Sequence, residues 1–108
     1  MNKKIVIIED DDPILEVLTQ IFEDNNYETK TFTNAADFFK ADAVAEDTCY
    51  LIDYRLPDST GVEILKYIRE RNKISPAFIM TASLEKDLVL SSLENGASQF
   101  SFSWFSFS

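Results

Sequence analysis

Short runs of apolar residues alternate along this chain with stretches in which apolar positions recur every three or four residues. Ile5-Val6-Ile7-Ile8 is a continuous β-branched run, the signature of a strand buried on both faces. Asp12-Pro13 reads as an N-cap followed by proline at the first helical position. Ile14, Leu18, Ile21 and Phe22 then follow at helical spacing, and Asn25-Asn26 ends the helix. Residues 28–32 form a short strand, and Asn34 caps a second helix carrying Phe38 and Phe39. Tyr50-Leu51-Ile52 is the next buried strand, ending at Asp53. A loop over residues 56–61 leads to a third helix with Val62, Leu65 and Ile68 in line and Ile64 beside them. Ala77-Phe78-Ile79-Met80 is a fourth strand. Ser83 caps a fourth helix with Leu84, Leu88 and Leu93, Gly96 stops it, and a last strand starts near Gln99. Strand and helix in alternation with short connections imply a parallel sheet, helices on both faces and right-handed crossovers. No domain boundary or long-period repeat interrupts the 108 residues, so residues 1–108 read as one domain.

Composition narrows the function. At 45% hydrophobic residues the chain can bury a core, which argues against disorder. Ten basic residues against 19 acidic ones give a net charge of −9, which repels nucleic-acid backbones and anionic lipid and favours cations and basic partners. There is no histidine, hence neither the commonest general base nor the commonest transition-metal ligand. Cys49, the one cysteine, reads as a small core residue in an apolar run. The apolar run near the N-terminus is only four residues long, too short for a signal peptide or a membrane span. A reducing, cytoplasmic setting is the expectation.

Ligands of open parallel sheets bind at the carboxyl ends of the strands. Here the first strand runs into Glu9-Asp10-Asp11-Asp12, the third ends in Asp53, and the fourth is followed by Thr81. Taken singly, each has a plain structural reading: a solvated turn, a turn former, a strand-end hydroxyl. Asp11 and Asp12 are assigned to that class, with Asp12 as the cap. Glu9, Asp10 and Asp53 converging on one pocket would repel one another unless protonated or bound to a cation. An all-oxygen, histidine-free donor set suits a hard ion such as Mg²⁺. A carboxylate can also serve as a covalent nucleophile toward phosphorus, with the Thr81 hydroxyl as a donor to a phosphoryl oxygen.

Together these residues resemble response-regulator receiver domains. Ile7-Ile8-Glu9-Asp10-Asp11-Asp12-Pro13 is similar to their opening. The segment from Leu51 through Asp53, Leu56-Pro57 and Gly61 is similar to their phosphoacceptor stretch. Met80-Thr81-Ala82 resembles their hydroxyl-bearing strand end, and the run from Glu94 to Phe100 their turn into a fifth strand. The resemblance spans about residues 3–102. It implies a flavodoxin-like, doubly wound parallel sheet of five strands in the order 2-1-3-4-5. It implies Asp53 as phosphoacceptor and Mg²⁺ or Mn²⁺ held by Glu9, Asp10, Asp53 and the backbone carbonyl of Arg55. Thr81 would grip the phosphoryl group, and Phe100 would be the aromatic switch that follows that grip. The donor would be a phosphohistidine on a sensor histidine kinase or phosphotransfer protein. Such a chain accepts a phosphoryl group onto its own aspartate and is not a turnover enzyme.

One departure stands out. The family's fifth strand usually ends in Lys-Pro. Counted from Gly96-Ala97, those positions hold Ser103 and Trp104 here. Residues 100–108 contain only aromatics and serine, and no fifth helix follows. This suggests an altered or truncated end, with the face that helix would cover left to mediate self-association. It also sets up an alternative: a phosphorylation-deficient, receiver-like interaction module. Two enzyme readings are weaker. A flavin-phosphate site wants a Ser/Thr/Gly-rich loop after the first strand, where this chain has four acids. Resemblance to aspartate-based phosphatases would require a second aspartate where Arg55 stands.

Overall fold

A computed structural model describes residues 3–80. Seven elements alternate along it: β1 (Lys3–Ile8), α1 (Asp12–Asp24), β2 (Tyr27–Phe32), α2 (Ala35–Ala41), β3 (Thr48–Asp53), α3 (Gly61–Arg71) and β4 (Ala77–Met80). The expected fourth helix, fifth strand and aromatic tail, and with them Thr81, Phe100, Ser103 and part of the surface expected to mediate self-association, lie outside the described residues. Among the described residues, no helix is long and apolar enough to cross a membrane.

The four strands pair in parallel in the order β2-β1-β3-β4, as the alternating pattern and the family resemblance imply. The β-branched run of β1 explains its central place. Ile5 and Ile7 face one way, into a cluster with Leu18 and Phe22 of α1 and Leu51, Phe78 and Met80. Val6 and Ile8 face the other, with Phe38, Tyr50, Ile52, Ile64, Ile68 and Ile79. Burying both faces of a strand leaves no position for a polar side chain until the strand ends, and this is where the acids begin. The edge strand β2 alternates half-buried Tyr27, Thr29 and Phe32 with exposed Glu28 and Lys30, and charges of that kind discourage edge-to-edge pairing.

Local chemistry sets the helix ends. Asn34 caps α2, accepting from the Asp37 N–H at 2.8 Å while its own amide donates to the Asp37 carboxylate at 3.1 Å. Asn26 and Asp42 take left-handed backbone conformations after α1 and α2, with φ of 68° and 48°. Asn and Asp tolerate that region better than other non-glycine residues.

Two local expectations shift. The cap of α1 is Asp11, whose Oδ1 accepts the Ile14 N–H at 3.1 Å, and Asp12 is the first helical residue. Both acids satisfy a cap's chemistry, and proline is accommodated anywhere in the first turn because the N–H groups there lack intrahelical partners. On α3, the buried line is Gly61, Ile64 and Ile68, while Val62 is 40% exposed. The i, i+4 pair Ile64/Ile68 defines the inward face, not the i, i+3 row that begins at Val62.

Far from the strand C-termini, buried Asn72 and Ser75 tie the α3–β4 loop to the carbonyls of Ala45 and Glu46. Tyr50 reaches the same region, its hydroxyl accepting the Ala45 N–H at 3.0 Å. Cys49 is half-buried beside the α1-side cluster, and that burial pushes its thiol pKa up. These groups pin the base of the domain, at the opposite end from the acids.

Candidate metal centre at the strand C-termini

Parallel registration brings the acids together. Ile8 of β1 lies level with Ile52 of β3, so the residues that follow, Glu9 and Asp53, come side by side. Carboxylate oxygens of Glu9, Asp10 and Asp53 all lie within 4.8 Å of one another. Glu9 and Asp53 are buried and Asp10 is exposed. The three residues singled out in the sequence therefore converge, and their separation suits one hard cation with oxygen ligands.

The acids of the β1–α1 turn divide their work. The Glu9 N–H donates to the Phe32 carbonyl at 3.0 Å, extending the β1–β2 pairing by one residue. The Asp11 N–H donates to Glu9 Oε2 at 3.2 Å, while the Asp11 side chain caps α1. Asp12 lies in the first turn of α1, where a negative charge complements the helix dipole.

Asp53 closes β3 opposite Met80 of β4. Its Oδ1 accepts the Arg55 N–H at 3.3 Å. The loop after it folds back on itself. Arg55 bridges Thr60 in antiparallel fashion, the Leu56 N–H donates to the Ser59 carbonyl at 3.2 Å, and the Gly61 N–H donates to the Tyr54 carbonyl at 2.7 Å. Leu56 plugs into the α2/α3-side core. Gly61 permits the closure, because a Cβ there would lie 3.0 Å from the Asp53 carbonyl oxygen and 3.1 Å from Tyr54 Cα. Thr81 directly follows Met80, the residue level with Asp53, but lies outside the described residues, as does Phe100.

One participant carries no role in the sequence reading. At the tip of this loop, Asp58 turns both carboxylate oxygens onto the N-terminus of α2, accepting the Ala35 and Ala36 N–H groups at 2.9 Å each. The Ala35 N–H first, then that of Ala36, hold its carboxyl below the usual aspartate range. The only local signal was a Pro-Asp pair in a loop, and its partner lies 22 to 23 residues away.

Comparison with known proteins decides the family. The profile described as "Response regulator receiver domain" matches residues 5–102. The chain belongs to the response regulator receiver domain family. Sporulation initiation phosphotransferase F of Bacillus subtilis is 31% identical over 97 residues, covering 90% of this chain and 78% of that protein. The DNA-binding transcriptional regulator NtrC of Escherichia coli is 33% identical over 98 residues, covering 90% of this chain and 21% of the regulator. The alkaline phosphatase synthesis regulatory protein PhoP of B. subtilis is 27% identical over 100 residues, covering 93% of this chain and 42% of the regulator. The receiver thus spans under half the length of those two transcriptional regulators. Among solved structures, a CheY-like response regulator receiver domain protein from Methanospirillum hungatei matches with a TM-score of 0.68 and 30% identity, covering 90% of this chain and 78% of that one. The receiver fold of two-component response regulators, a doubly wound parallel sheet with alternating helices, accounts for every element described above.

Proposed function

We propose that this receiver takes a phosphoryl group onto Asp53 from a phosphohistidine of a sensor histidine kinase or phosphotransfer protein, in the presence of Mg²⁺ or Mn²⁺. The observation that carries the reading is the convergence of Glu9, Asp10 and Asp53 at the C-terminal ends of adjacent strands. The donor set fits a hard divalent ion: Asp10, Asp53 and the Arg55 backbone carbonyl would hold it directly, and Glu9 mainly through water. Bound there, it supplies charge neutralisation for the carboxylates and for the incoming phosphoryl oxygens.

The chain's own residues do the rest. An Asp53 carboxylate oxygen forms the new bond to phosphorus as the donor's phosphorus–nitrogen bond breaks, and the electron pair of that bond stays on the imidazole nitrogen. The Arg55 N–H orients Asp53 through its other oxygen. The hydroxyl of Thr81 donates to a phosphoryl oxygen, and Phe100 reports the outcome to the surface. The net charge of −9 directs the receiver toward protein partners and away from nucleic acid. The cytoplasm is the compartment where such a kinase partner acts.

Ser103 stands where the family has lysine, so the phosphoryl group lacks a charge-assisted donor. Phosphorylation is therefore slow, by up to about 10²–10³ in rate if that donor counts as others in preorganised sites do. Intact-mass measurement after treatment with a small acyl phosphate and Mg²⁺ tests both statements. The wild type gains one phosphoryl group, Asp53→Ala gains none, and Ser103→Lys gains it faster. Equal modification of wild type and Asp53→Ala removes Asp53 as acceptor. Equal speed in wild type and Ser103→Lys removes the account of the missing lysine.

A further inference from the structure

We propose that Asp58 is a positioning residue for the acidic site, clamping the loop that carries Arg55 to the N-terminus of α2. The inference rests on the metal-site reading above and adds a residue to it.

The two halves of the site belong to different strands, Glu9 and Asp10 after β1, Asp53 at the end of β3 with Arg55 beyond it. Among the described residues they are joined through the β1–β3 pairing. The Asp58 carboxylate joins them a second time, by an outer route. The Glu9 N–H is bonded to the Phe32 carbonyl at the end of β2. Three residues later the chain enters α2, whose first N–H groups, those of Ala35 and Ala36, are held by Asp58. From Asp58 the loop returns through the Leu56–Ser59 hydrogen bond and the Arg55–Thr60 bridge to the Arg55 N–H on Asp53. The result is a closed ring of hydrogen bonds and short chain segments that includes Glu9 and Asp53.

The loop is stiff enough to transmit this hold. Its root is fixed by the Gly61 N–H on the Tyr54 carbonyl, and its middle by the buried side chain of Leu56. Pro57 and Asp58, both exposed, form its tip. Two acceptor oxygens on two successive N–H groups define an orientation, where a single bond would leave a hinge. α2 needs Asp58 less than the loop does, because Asn34 already caps it through the Asp37 N–H.

The test compares Asp58→Asn with Tyr50→Phe. Asn keeps one acceptor oxygen and turns an NH₂ group toward a backbone donor, so the two-point hold is lost. Tyr50→Phe removes a hydrogen bond to Ala45 at the opposite end of the sheet and controls for general loss of stability. Calorimetric Mg²⁺ titration is expected to show affinity about three- to tenfold weaker in Asp58→Asn, somewhat less than the roughly 10- to 100-fold seen when a group bonded directly to a ligand is lost. Tyr50→Phe is expected to stay within about twofold of wild type by the same comparison. In metal-free protein, amide exchange at Arg55 and Leu56 should quicken in Asp58→Asn alone. Wild-type affinity in Asp58→Asn, unchanged exchange at those amides, or an equal affinity loss in Tyr50→Phe each overturns the clamp. Asp53→Asn in the same titration separates the two readings. If it binds as the wild type does, or if the wild type binds no divalent ion, the metal site itself fails, and the exchange comparison still decides whether Asp58 holds the loop. If Asp53→Asn loses binding and Asp58→Asn does not, the clamp alone fails.

Discussion

Removing Asp10 should stabilise the metal-free receiver and weaken its response to Mg²⁺. Asp10 faces two other carboxylates, Glu9 and Asp53, with oxygens within 4.8 Å. Two like charges at that distance repel by about 0.9 kcal/mol in bulk water and about 3.5 kcal/mol at an effective dielectric constant near 20. Asp10 is exposed, so the water-like figure governs, and salt screens it further. Two such pairs give a relief of about 1–2 kcal/mol in Asp10→Ala. A domain of this size gains about 4–8 °C in melting temperature per kcal/mol, so the variant should melt about 4–15 °C higher in chelator at low ionic strength. Added Mg²⁺ reverses the comparison. At a hundred times the wild-type dissociation constant, the ion stabilises the wild type by about 2.7 kcal/mol, and a variant with much weaker binding by far less. The gap should therefore close or invert. Thermal unfolding by circular dichroism, with chelator and with Mg²⁺, reads both halves. A variant that melts at or below the wild type in chelator would falsify the repulsion. Equal gains from Mg²⁺ in the two proteins would remove Asp10 from the site.

Three further outcomes can be checked. Gly61→Ala should cost about 1–3 kcal/mol in denaturant unfolding and lower Mg²⁺ affinity, because two of the atoms its Cβ would crowd are backbone at Asp53 and Tyr54 and cannot rotate away; wild-type stability would mean that α3 can slide. Asp11→Ala should cost about 0.5–2 kcal/mol as a lost cap, and Asp12→Ala clearly less; the opposite order would return the cap to Asp12. The Asp58 carboxyl is held below its ordinary value, so its contribution is full above about pH 4 and is lost as pH falls through the lowered value. The stability difference between wild type and Asp58→Asn should be flat above that pH and shrink below it, and a difference that grows on acidification would contradict the two backbone bonds.

Much of this architecture is legible in the chain because burial and polarity change abruptly at strand ends. Residues 5–8 offer no polar side chain, and residues 9–12 offer nothing else, so the end of β1 could be placed to the residue. The same holds where Tyr50-Leu51-Ile52 meets Asp53. Asn34 was legible as a cap because its chemistry acts within three residues. The misplacements arise where neighbouring residues compete for one role. Asp11 and Asp12 both suit an N-cap, and only the turn geometry after Glu9 selects Asp11. Val62 and Ile64 both give plausible helical stripes with Ile68, and only the packing of Gly61 against β3 and β4 turns Ile64 inward. Asp58 was illegible for a different reason. Its partners are backbone N–H groups, which every non-proline residue carries, so no residue type near position 35 announces them.

The acids also differ in how firmly they are held, and this decides which of them can serve as clean probes. Glu9 is fixed through its own N–H on β2 and through the Asp11 N–H on its carboxylate, and it is buried. Asp53 is the last residue of a central strand, bonded to the Arg55 N–H and roofed by a loop that Gly61 and Leu56 anchor. Replacing either one leaves backbone donors facing an altered site, at a cost of about 1–3 kcal/mol for each buried group left without its partner. A loss of metal binding in those variants therefore mixes a missing ligand with a disturbed scaffold. Asp10 is exposed, and water can replace its carboxylate. The fold thus pairs two acids that the sheet holds in place with one that solvent can reach. Asp10→Ala is therefore the cleaner probe of the metal site, because it removes a carboxylate that water can replace.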